Sequence, residues 1–329
     1  MMLSIALSLA LLASAPSQQT SEQQLPASAL DTATAVDPNA AVDLGDVTVS
    51  GRRLDQATQD FVREVGAPAR GRGLARWRSG VCVGVANLQN EAAQYIVDRV
   101  STVAEDVGLK PGEPGCEPSV LIIAVTDADA FTKQFVEMRP RLFIVGGGGM
   151  DRGYSALGRF KTNSQPVRWW TVSVPVNAET GGIATRLPGE DAPFVSSLAS
   201  RLTTSIVDDT KRAFVIVDVD KIGGVSLEQL SDYLAMVVLA QVDPDADTSG
   251  YATVLNVFDN PEQTNGLTDW DKAYLEGLYD ANRTRKDQAS HRSEIAASII
   301  RVHNRMTAAQ IAAEESEASA PETPTTLRP

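Results

Sequence analysis

The chain has 329 residues, 43% hydrophobic and 22% charged, enough for one large folded domain or two small ones. Its formal net charge of -13 repels phosphate backbones and anionic lipid heads, which excludes nucleic-acid and polybasic membrane binding as general modes. The basic run Arg70–Arg78 is the one counter-signal, and it reads as an exposed loop balancing nearby acids.

Leu3–Ala13 is apolar but for two serines, and the small residues Ala13–Ser17 come directly after it. That is the layout of a secretory signal peptide (residues 1–17) cut after Ser17, although the segment before it, Met1-Met2, carries no basic residue. The run is too short for a permanent membrane span, so the mature chain is expected in the periplasm or secreted, with no stable span. Residues 18–45, rich in Gln, Ser, Thr, Ala and Pro without periodicity, read as a disordered leader.

Residues 46–312 then read as one α+β domain. Val47–Val49 forms a short strand, residues 54–65 an amphipathic helix, 81–86 a strand and 91–107 a second helix stopped by Gly108. Val120–Val125 is continuously apolar, hence a strand buried on both faces, and Asp127 caps the helix after it. An apolar strand from Leu142 leads into four glycines and a helix over 152–160. Val167–Val176 is a strand with Ile183–Leu187 as its hairpin partner. A second hairpin is expected between 202–207 and 213–219, turning at Asp208-Asp209-Thr210.

Phe214–Val242 reads as strand, turn and helix, with Ser226 and Gln229 forming a capping box. From Tyr233 to Val242 only Gln241 is strongly polar, so this helix belongs in the middle of a core. A loop at 243–250, a short ordered segment at 253–258, a helix over 270–279 capped by Thr268, and a last helix over 290–312 complete the domain. Residues 313–329 are an acidic tail read as disordered. The expected architecture is a mixed sheet with flanking helices and one central buried helix.

The two cysteines, Cys82 and Cys116, read as a disulfide in an exported chain, the alternative being two buried free thiols. The only histidines, His291 and His303, lie twelve apart on one helix and face different ways, which weakens zinc and acyl-transfer chemistry. Ser155 sits in an imperfect nucleophile elbow without a histidine partner, and Gly146–Gly149 completes neither phosphate-loop pattern, so no cofactor is expected. Asp243, Asp245 and Asp247 alternate on a loop and are weak calcium candidates, lacking the Gly and Glu that such a loop needs. Asp218 and Asp220 share a strand face and Glu228 and Asp232 a helix face. If the pairs converge they are able to share a proton or cation. Trp169-Trp170 place one indole on each strand face, one for the core and one for a covering element or a stacking platform.

Tyr233-Leu-Ala-Met236, Thr253-Val-Leu-Asn-Val-Phe-Asp-Asn260 and Gly266-Leu-Thr-Asp-Trp through Leu278-Tyr-Asp280 resemble a proteobacterial family of exported proteins of unknown function. The order of helix and short segment is also similar to zincin-type metallopeptidases. Their His-Glu-x-x-His window is here Asp232-Tyr-Leu-Ala-Met236, so the resemblance implies at most an inactive relative of a hydrolase. The expected function is a non-catalytic binding or assembly factor of the envelope, its partner an envelope protein or peptide. The competing class is a hydrolase using carboxylates or a metal around Asp218, Asp220, Glu228 and Asp232.

Overall fold

Leu54, Phe61, Val62 and Val65 recur at helical spacing and bury one face of α1 (Gly51–Val65). The structure, a computed structural model, describes residues 51–69, 71–143, 152–186, 193–196, 203–285 and 287–318. Two strand pieces, β1 (Gly80–Val81) and β2 (Val83–Ala86), break at Cys82. α2 (Asn90–Asp106) turns Ile96, Val100 and Val103 inward, and β3 (Lys110–Pro111) pairs with β1. β4 (Val120–Val125) leads to α3 (Ala128–Met138), whose Ala130 N–H donates to the capping Asp127 carboxylate. α4 (Pro140–Phe143), α5 (Gly153–Thr162), β5 (Val167–Asn177), β6 (Thr185–Arg186), β7 (Pro193–Phe194) and β8 (Ile206–Asp218) come next. After them the chain forms α6 (Leu227–Leu239), a 3-10 turn at Val254–Asn256, α7 (Asp269–Asp280) and α8 (Gln288–Ala318).

The main sheet runs β2-β4-β8-β5, its first three strands parallel and β5 antiparallel to β8. It is the mixed sheet of a single α+β domain. Because side chains alternate along a strand, β8 feeds two cores. Val215 and Val217 pack with α1, α2, α6, α7 and α8, whereas Phe214 and Ile216 pack with Phe143, Phe160 and Trp170 under α3, α4 and α5.

α6 is the centre of the larger core, with every residue from Leu230 to Leu239 buried. Ser226 and Gln229 close the expected capping box at its start. The last carbonyls of a helix have no partner inside it, and burying them bare is costly. Trp77 Nε1 therefore donates to Val238 O at 2.8 Å, and Tyr279 Oη to Leu239 O at 2.8 Å. α7 and α8 meet so closely that a Cβ on Gly277 would lie 2.6 Å from the Ile299 backbone nitrogen.

Several expectations change. Residues 206–218 form one strand rather than half of a hairpin. The Asp208-Asp209-Thr210 triplet stays extended because arginines neutralise it, and the sheet absorbs it with a register shift at Val172/Ser173. Leu142-Phe143 ends a helical turn opened by Pro140, a residue whose fixed φ suits a first helical position. Ile183 makes only an isolated bridge to Val176, and Thr185–Arg186 pairs with β7 instead. Trp169 and Trp170 are both buried, donating to Val242 O and Phe143 O, so neither is a stacking platform. The last helix extends to Ala318, into the segment expected to be a disordered tail. The signal peptide, the leader, the Val47–Val49 strand and the glycine run lie outside the described residues. Cys82 and Cys116 are joined as a disulfide with Cα atoms 6.2 Å apart, and no described helix is long and apolar enough to cross a membrane.

Candidate functional site: an arginine-lined groove

The described part of the basic run, residues 71–78, is not an exposed loop: Arg72, Leu74, Ala75 and Trp77 are buried. Residues 66–69 and 71–78 form a strap laid between the end of α6 and the first half of β8. Ala67 N–H donates to Gln241 O at 3.0 Å, Ala75 N–H to the Gln241 side chain at 2.8 Å, and Thr210 N–H to Arg76 O at 2.9 Å. Gln288 of α8 holds the strap from the other side through Arg72 O at 2.7 Å. Gly73 lies flat on an imidazole: a Cβ there would fall 2.8 Å from His291 Nδ1.

The strap brings its arginines to the two adjacent acids of β8. Arg72 pairs with Asp208 at 3.1 Å. Asp209, with no exposed surface, accepts from Arg78 Nε at 2.6 Å and from Arg283 Nη2 at 2.7 Å. Arg76 donates to the carbonyls of Leu278 and Tyr279 at the end of α7 and lies 5.6 Å from the centre of the Tyr279 ring. Burial and the neighbouring Arg283 bring the Arg76 pKa down to about 10. Burial raises the Asp208 carboxyl while Arg72 opposes it. Burial, with Arg283 and Arg76 nearby, brings His291 down to about 4, so its imidazole is neutral at pH 7.

Three adjoining concavities open along the strap. The first, about 220 Å³, is lined by Arg63, Arg72 and Arg292, and the second, about 230 Å³, by Arg72, Arg283 and Arg285. The third, about 480 Å³, has Arg76, Arg78 and Arg283 on its walls, with Val107, Leu109 and Ala281 between them. Among the described residues their walls hold seven arginines and no lysine, against two carboxylates, Asp208 and Asp287. Asp287 is turned to α8, accepting from Ser290 N–H at 2.8 Å and Ser290 Oγ at 2.7 Å. Among the described residues Arg76 and Arg292 enter no ion pair. The other five already pair with the protein's own acids: Arg63 with Asp60, Arg72 with Asp208, Arg78 and Arg283 with Asp209, and Arg285 with Glu294.

The acids singled out in the sequence do other work. Asp218 is buried at the end of β8 and pairs with Lys221 at 3.0 Å, while Asp220 and Glu228 are exposed. Asp232 pairs with Arg99 of α2 and accepts from Leu267 N–H at 2.7 Å. Asp243 and Asp245 pair with Arg152 and Arg159, and Asp247 accepts from Ser249 within its own turn. Among the described residues no three His, Cys, Asp or Glu side chains gather as metal ligands would. Ser155 is exposed beside Arg159, and of the two histidines only His291 lines the groove, in two of its three concavities. The groove's arginines stand in the sequence as Arg63, Arg72 to Arg78, Arg283, Arg285 and Arg292, with no local sign that these segments meet.

Comparison with protein-family models, curated proteins and solved structures finds no match to this chain.

Proposed function

We propose that the protein is an exported, non-catalytic binding or assembly factor of the cell envelope, and that the arginine-lined groove is its binding surface. One observation carries this reading: of the seven guanidiniums that line adjoining concavities of a strongly acidic protein, two, Arg76 and Arg292, enter no ion pair among the described residues. The disulfide and the signal-like N-terminus support an oxidising compartment, periplasmic or extracellular. The similarity of residues 233–280 to exported proteins of unknown function points the same way. The hydrolase reading has less support, because Asp232 is committed to Arg99 and Asp218 to Lys221.

Site-specific photo-crosslinking in living cells tests the proposal. A crosslinker at Asn282, on the wall of the largest concavity, is expected to give a discrete adduct that weakens when Arg292→Glu is also present. The same crosslinker at Tyr154, exposed on the other layer, serves as the control and is expected to give none. Equal labelling at both positions, or an adduct indifferent to Arg292→Glu, would overturn the assignment of the groove.

A further inference from the structure

Resting on that reading, we infer that the occupant of the groove is a short acidic segment of a polypeptide, gripped through its side-chain carboxylates.

The lining chemistry narrows the choice of anion. Every lysine or arginine on the described walls is arginine, whose planar fork matches a carboxylate or phosphate with two parallel hydrogen bonds, whereas a lysine acts as a point charge. The protein already displays what these forks select, since Arg63, Arg72, Arg78, Arg283 and Arg285 each hold a carboxylate of its own, Asp60, Asp208, Asp209 or Glu294. Arg76 and Arg292 hold none among the described residues. They lie at opposite ends of the row, Arg292 in the first concavity and Arg76 in the third.

The rest of the lining separates a peptide from a bare anion. Leu74, Val107, Leu109, Val207 and Ala281 lie between the guanidiniums, and apolar wall suits the methylene stems of Glu and Asp neighbours rather than phosphate or sulfate. Concavities of about 220 to 480 Å³ admit side chains one or two at a time. A wide polyanion such as a duplex, or a lipid surface, would press against the acidic remainder of the molecule.

Fluorescence anisotropy on the full mature protein tests this with a labelled hexapeptide of alternating Glu and Leu. Its Gln-Leu analogue, inorganic phosphate, tripolyphosphate and vesicles containing anionic phospholipid complete the set. The Glu peptide is expected to bind and to weaken as salt is raised, and the Gln peptide to fail. Arg292→Gln and Arg76→Gln are each expected to weaken binding about tenfold. Arg76→Lys should restore the fold if Arg76→Gln loses it, yet recover only part of the affinity. Arg159→Gln, on α5 and off the groove walls, should change nothing. Equal binding of the Glu and Gln peptides, or indifference to both arginine substitutions, overturns the inference. Arginine-dependent binding of phosphate, tripolyphosphate or vesicles in preference to the peptide overturns the choice of occupant while leaving the groove as a binding surface. If no probe binds and crosslinking at Asn282 also fails, both readings fall.

Discussion

Asp209 sits fully buried inside a strand, a place where aspartate is disfavoured, and its two guanidinium partners are what make it tolerable. Asp209→Asn would leave Arg78 and Arg283 facing each other without a counter-charge. Breaking a buried pair in this way costs about 3–5 kcal/mol, and urea denaturation is expected to show a loss of that size. Asp245→Asn, which removes the half-exposed pair with Arg159, should cost less than about 1 kcal/mol in the same assay. His291 yields a prediction about pH. Its pKa is about 4 in the folded protein and near 6.5 in a free chain. Between those values the unfolded chain takes up a proton that the folded protein refuses. Stability is thereby lost as pH falls from about 6.5 to about 4, by on the order of 3 kcal/mol in full. Asp271 opposes this. Burial pushes it up to about 6, so the folded protein gains a proton and stability as pH falls through that value. The clean measurement is a difference. The stability gap between wild type and His291→Gln should narrow by about 2 kcal/mol from pH 7 to pH 4.5, and an unchanged gap would contradict a neutral, buried imidazole.

α6 is the most legible element because its cause is local. An apolar run with a Ser-x-x-Gln start fixes both its type and its burial, and Leu234, Val237 and Val238 are all in the core. Leu234→Ala should cost about 2–5 kcal/mol, read from the urea midpoint, because the tightly packed centre has little room to collapse. Leu227→Ala, at the half-exposed first turn, should cost far less. β8 misleads for the opposite reason. Asp208-Asp209-Thr210 has the composition of a turn, and what keeps it extended lies far off in sequence, 131 residues away at Arg78 and 74 at Arg283. Leu142-Phe143 illustrates a third case, an apolar run too short for periodicity to separate helix from strand, decided by Pro140 before it. The candidate site is hidden in the same way as β8. Its arginines come from α1, from the strap, from the segment after α7 and from the start of α8. No spacing rule links them, whereas the carboxylates that spacing does link serve in turns and ion pairs or lie exposed.

At the scale of the molecule, the strap and the disulfide tie distant parts of the chain to one frame. The strap joins the end of α6 to β8 and α8, so the groove's shape depends on the whole domain being folded. The disulfide closes a loop of 34 residues that contains all of α2, the helix whose Arg99 holds Asp232 of α6. Cross-linking such a loop restricts the unfolded chain and is worth roughly 3–4 kcal/mol in the chain-entropy estimate. Protein recovered from an oxidising compartment and unfolded without reductant is expected to show no free thiol. Reduction should lower the urea midpoint, and Cys82→Ser/Cys116→Ser should match the reduced protein. Because the loop includes Gly108 and Leu109, which line the largest concavity, the reduced protein should also bind the acidic peptide more weakly. Two titratable thiols in the oxidised preparation, or a midpoint indifferent to reductant, would remove the disulfide from the account of stability. Unchanged peptide affinity after reduction would show that the groove is held by the strap and its arginines alone.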